Sequence, residues 1–184
     1  MKTSQGAPAR SAKPTWLHLG ALAVTAVVVV AGKEYYRAAT AADLSWILAP
    51  TAHAVTALGC GHFTFDASAG WVDRDLGFAI APACAGLHFA LAAFVALVIG
   101  GLGGVRDARS FVTRLAGAAA LAYVATLVVN TTRIAIAIHM HRMDLANREE
   151  LHRLEGTIVY LGGLCALYAL ARALDRRRHA LARV

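Results

Sequence analysis

Apolar residues along this chain fall in long blocks separated by short polar connectors. Trp16 to Ala31 is nearly all Ala, Val and Leu, interrupted by His18 and Thr25, and Tyr35 and Tyr36 follow it. The block predicts a membrane-crossing helix with Trp16 at one interface and the two tyrosines near the other, because amphipathic aromatic rings favour the membrane–water boundary. The chain continues GKEYYR with no small-residue cleavage site, so the helix reads as an uncleaved span rather than a signal peptide. Leu44 to Cys60 is a weaker block, carrying Pro50, His53 and two threonines. It falls short of the roughly 20 residues a span needs. Gly61 to Ala81 breaks the helical pattern, with short aromatic and aliphatic runs around DASAG. That pattern predicts a small β-hairpin outside the hydrocarbon. Three further blocks follow: Cys84 to Ile99 up to GGLGG, Leu115 to Ile138, and Thr157 to Leu174.

The pattern therefore predicts an all-α integral membrane protein. It has about five transmembrane helices, the 44–60 segment being the doubtful one, and an extracytoplasmic β-hairpin ahead of Cys84. Residues 1–15 read as a polar tail, 16–174 as a single membrane domain and 175–184 as a basic tail. Composition agrees. Of 184 residues 58% are hydrophobic and 16% charged, and mean hydropathy is +0.55. Those values exclude a disordered chain, and three cysteines cannot all pair in a disulfide scaffold.

A net charge of +7 and a pI near 9.8 raise the question of nucleic acid. The basic residues gather at the chain ends and in connectors, not on one face, which fits headgroup contact and orientation instead. With five spans one membrane face collects seven Lys and Arg and the other ten. The positive-inside rule puts the ten-charge face, with residues 105–114 and the C-terminal tail, in the cytoplasm. The N-terminal tail, residues 61–81 and residues 139–155 then lie outside.

Three chemically able residues fall on that outer side. Cys84 follows Pro82, a residue suited to a helix's first turn, so the thiol is expected near a helix N-terminus, where the helix dipole favours thiolate. Cysteine is also a common packing residue, and position alone leaves both roles open. Arg133 lies inside the fourth span, where a charge costs about 2.5–3.5 kcal/mol on insertion scales. Snorkelling to the interface is the alternative to function. Asn130, three residues earlier, shares its helical face. His152 precedes the last span and suits acid–base work, with Glu155 three residues on to orient it, although His139 and His141 compete. Cys60 and Cys165 read as packing residues.

PACAGL, NTTRI and HRLEG followed by Tyr160, in that order, resemble the exosortase/archaeosortase family of membrane transpeptidases, most nearly its compact K type. The resemblance covers roughly residues 40–170 and assigns the family's Cys, Arg and His to Cys84, Arg133 and His152. It implies a bacterial inner-membrane enzyme with an extracytoplasmic site. Such an enzyme cleaves C-terminal sorting signals of membrane-anchored protein substrates through a thioester, without metal or other cofactor. Asn130 and Glu155 would support the site. Two rivals stand beside it: a membrane metal or haem protein ligated by His88, His139, His141 and His152, and a non-catalytic membrane assembly factor.

Overall fold

A computed structural model describes residues 15–105, 107–143 and 149–181 of the chain, and side chains for the same ranges less residues 15, 149–152, 175 and 177–181. The described elements are α1 (Thr15–Ala38), α2 (Ser45–Ala57), β1 (Thr64–Asp66), β2 (Gly70–Asp73), β3 (Phe78–Ile80), α3 (Leu87–Gly101), α4 (Ala108–Arg142) and α5 (Glu149–Leu181). Four segments are long and apolar enough to cross a membrane: Trp16–Ala38, Pro82–Gly104, Ala108–Arg142 and Arg153–Leu174. Their outward faces carry exposed Leu19, Val27, Val30, Val124, Val128, Ile158, Leu161 and Leu170. Such faces suit lipid better than water.

The second apolar block does not make a fifth span. α2 has 13 residues, about 20 Å at 1.5 Å per residue, against a hydrocarbon core of about 30 Å. Instead it packs inward. Leu44, Ile47, Leu48, Ala52 and Val55 are buried with Phe63, Ile80, Ala85, Ile134 and Ile138 in one cluster. Pro50 sits inside α2 and lacks the N–H that would bond the Trp46 carbonyl. That carbonyl is satisfied by the Tyr123 hydroxyl of α4, at 2.9 Å, and the two rings stack 5.7 Å apart. The proline thus frees an acceptor that ties α2 to the bundle.

The expected hairpin is a three-stranded antiparallel sheet in the order β1-β2-β3. Asp66 Oδ1 accepts from the Ser68 and Ala69 amides and closes the β1–β2 turn, where Asp66 pairs with Gly70. The third strand was hidden in the sequence because only Phe78–Ile80 forms it, a run too short to show alternation. Asp73, buried at the end of β2, organises the second loop. It accepts from the Asp75 and Leu76 amides through Oδ1 and from the His62 amide through Oδ2. The Leu76 and His62 donors hold its carboxyl below the usual carboxylate range. An unfolded aspartate titrates near pH 3.9. The stabilisation from Asp73 is therefore complete above about pH 4 and is lost as pH falls through the lower folded value. Thermal melting of purified protein between pH 3 and 7 checks this. Asp73→Asn is expected to be less stable at neutral pH and to lose less on acidification, whereas an unchanged acid slope contradicts the assignment.

The helices alternate in direction. Gly32 of α1 abuts Leu91 of α3, and Ala21 lines one small cavity with Val98, Gly101 and Val105. The start of α1 therefore lies at the same end as the 102–107 connector. Five spans would put the start of α1 and that connector at opposite ends; with α2 packed inward they share one. α4, with 35 residues, is about 52 Å long. Its last turn projects to the sheet, where His141 Nε2 lies 3.1 Å from the Leu76 carbonyl and Arg142 donates to the Cys60 carbonyl at 3.1 Å.

Candidate functional site

Cys84 lies where the sheet hands the chain to α3. Pro82 opens a 3-10 turn, Pro82–Cys84, with the Cys84 amide bonded to the Ala81 carbonyl at 2.8 Å. The thiol residue lies near the N-terminus of α3, as its position after proline predicted, but in a separate turn three residues before the helix begins. Gly86 adopts a left-handed φ of 69° and starts α3 afresh at Leu87. A side chain at Gly86 is excluded twice. The left-handed region is strained for other residues, and a Cβ would stand 3.1 Å from the Asn130 side chain and 3.3 Å from Thr126. The glycine lets α4 press against the turn that carries Cys84.

Asn130, 1% exposed, uses that closeness. Its Nδ2 donates to the Cys84 carbonyl at 2.6 Å, and its Oδ1 accepts from the Tyr160 hydroxyl at 3.0 Å. The same hydroxyl accepts from Arg133 Nη1 at 3.4 Å, and the guanidinium sits 5.3 Å from the Tyr160 ring centroid. Phe89 stacks on that ring at 5.5 Å. The result is a continuous chain: Arg133 to Tyr160 to Asn130 to the backbone of Cys84.

Arg133 turns toward α5, with Gly156 leaving room beside Nε: a Cβ there would lie 3.2 Å from it. It is also farther from the helix end than expected. α4 runs on to Arg142, so Arg133 lies about two and a half turns from the helix end rather than one and a half. Its guanidinium is engaged by Tyr160 of α5. It makes no ion pair among the described residues, and Nε is buried without a hydrogen-bond partner. A buried guanidinium N–H left over in this way is costly unless something else fills the place.

The Tyr36 hydroxyl donates to the Pro82 carbonyl at 3.2 Å, and its ring meets His88 edge-on at 5.1 Å. Cys84, Arg133 and Asn130 thus gather at the sheet end of the bundle, and Glu155 neighbours the Gly156 that abuts Arg133. Both Glu155 carboxylate oxygens are buried. His152 lies on α5 one turn before Gly156, but its side chain is outside the described residues.

Two tyrosines in the site escaped the sequence pattern. Tyr36 read as an interface anchor, and Tyr160 only as the residue that follows HRLEG. The available signal was general: a phenol inside an apolar span must find a hydrogen-bond partner. Among the described residues no group of three His, Cys, Asp or Glu is gathered as a metal site requires. His88 faces Tyr36, and His141 faces Phe78 and the Leu76 carbonyl. Cys60 is half-buried against the core cluster and Cys165 is exposed on α5, away from the relay.

A second feature lies deeper in the bundle. A cavity of about 480 Å³ opens between α1, α3 and α4, walled by Val28, Trp46, Ala90, Phe94, Ala119 and Tyr123. No family model matches the chain, and no curated protein or solved structure is significantly similar to it.

Proposed function

We propose that the chain is a multi-pass membrane cysteine transpeptidase of the exosortase kind, which cuts C-terminal sorting signals of membrane-anchored proteins. One observation carries the reading: the Arg133–Tyr160–Asn130–Cys84 relay, which joins the backbone of a nucleophile candidate to a half-buried cation whose Nε–H is buried and unfilled. In this reading a substrate's membrane helix docks laterally against the apolar cavity between α1, α3 and α4.

In this reading the Cys84 thiolate attacks the carbonyl carbon at the cleavage site. The carbonyl electron pair moves onto oxygen, and the Nε–H of Arg133 receives that oxyanion. The C–N bond then breaks, the amine takes a proton from His152, and a thioester to Cys84 remains. An incoming amine or water gives its proton back to His152 and attacks the thioester, which releases the thiolate. No cofactor enters any step.

Four spans put the termini on one side. That side holds Lys2, Arg10, Lys13, Arg106, Arg109, Arg114, Arg172, Arg176, Arg177, Arg178 and Arg183, eleven in all, against six on the other. The asymmetry is larger than with five spans. In this reading both termini lie in the cytoplasm and the sheet and Cys84 lie outside, in the inner membrane of a bacterium. Cysteines introduced singly at Ser4, Ser68 and Ser110 test the placement. Only the one at Ser68 is expected to react with an impermeant maleimide in spheroplasts. Labelling at Ser110 but not Ser68 contradicts the orientation, and labelling at Ser4 restores the five-span path.

The activity itself is tested by co-expressing the full chain with candidate substrates that end in a short motif, an apolar helix and a basic tail. Loss of the C-terminal segment only when the enzyme is present supports the reading. Intact substrates across a broad panel, with the enzyme in the membrane, count against it.

A further inference from the structure

Tyr160 sits in an apolar stretch of α5, where a hydroxyl without a partner is costly. Both partners of this hydroxyl belong to the site: it accepts from Arg133 Nη1 and donates to Asn130 Oδ1. We infer that Tyr160 is a positioning residue, whose hydroxyl holds Arg133 and the Cys84 backbone in one fixed relation by joining the guanidinium to Asn130. The inference rests on the transpeptidase reading and adds to it a residue that touches neither the nucleophile nor, in that mechanism, the substrate.

The donor and acceptor inventory explains why a hydroxyl is needed. Asn130 must turn its NH₂ toward the Cys84 carbonyl, so its oxygen must face a donor. Arginine has donors only and asks for an acceptor. One hydroxyl serves both, donating in one direction and accepting in the other. A phenylalanine would keep the stack on Phe89 and the face presented to the guanidinium, but would satisfy neither group. The Asn130 oxygen would then lose its donor, and Arg133 would lose its tie to Asn130. Misplacement of about 1 Å in a catalytic assembly costs on the order of 10²-fold in rate.

Tyr160→Phe in the full chain is the test, with two readouts. In the cleavage assay kcat is expected to fall about 10–100-fold while KM stays within about threefold, because substrate contacts are untouched. In hydrogen-exchange mass spectrometry of the protein in detergent, amide exchange over residues 81–89 is expected to rise while the sheet at 64–80 stays as in the wild type. A kcat within threefold of wild type overturns the inference, as does a raised KM at unchanged kcat, which marks a substrate-binding group. Unchanged exchange over 81–89 overturns it too. If no substrate is cleaved, or Cys84→Ala still cleaves, the transpeptidase reading fails. The exchange comparison still decides whether Tyr160 holds the Cys84 segment.

Discussion

Cys84→Ala is expected to abolish substrate processing, with the protein still present in the membrane at wild-type level. Cys84 packs only partly against the core cluster, and its recorded tie to Asn130 is made by the backbone carbonyl, which alanine keeps. The substitution therefore removes the thiol and little else. Without it no acyl-enzyme can form, since no second nucleophile stands in the relay. Cys84→Ser is expected to be nearly as poor, because a serine hydroxyl ionises far less readily at neutral pH. Cys60→Ala and Cys165→Ala are expected close to wild type. Cleavage of a co-expressed substrate, scored against enzyme abundance, checks all four. Full activity in Cys84→Ala with loss in Cys60→Ala or Cys165→Ala would move the nucleophile elsewhere.

Arg133→Lys is expected to lower turnover by about 10²–10³-fold, the usual cost of removing one oxyanion donor. Charge is conserved, so a purely electrostatic role predicts a mild effect. The geometry predicts a severe one. Arg133 uses Nη1 on the Tyr160 hydroxyl and keeps Nε separate, buried beside Gly156. Lysine has a single point of charge and cannot serve two directions in a fixed plane. His152→Ala, assayed alongside, is expected to cost about 10²–10⁴-fold, the range for a lost acid–base group. Lysine at 133 supporting more than about a third of wild-type turnover would show that the cation matters and the fork does not.

The apolar blocks made four of the helices legible, because a long run of Ala, Val and Leu has few other folds open to it. The block at 44–60 misled in number for the same reason. Periodicity cannot tell a short span from a helix buried in a bundle, and only the 13-residue length and the buried Leu44, Ile47 and Leu48 decide it. The position of Arg133 inside an apolar helix was visible at once, since a charge there is expensive. Asn130 was visible as its neighbour on one face, though its partners proved to be the Cys84 carbonyl and Tyr160 rather than Arg133. Tyr160 was not visible as a connector, because its role depends on α4 and α5 packing closely at Gly156 and Gly163, contacts far apart in sequence. The 3-10 turn at Cys84 was also hidden: Pro82 suits a helix start, and only the left-handed Gly86 separates that turn from α3.

Covalent capture tests the nucleophile directly. Wild-type protein is mixed with a cleaved substrate, quenched in acid during turnover and digested, and the Cys84 peptide is weighed by mass spectrometry. The account predicts that a fraction of this peptide carries the upstream substrate fragment as a hydroxylamine-labile thioester, and that the adduct is absent from Cys84→Ala. Substrate cleavage at full rate with Cys84 unmodified throughout, or an adduct on Cys60 or Cys165 instead, would contradict it.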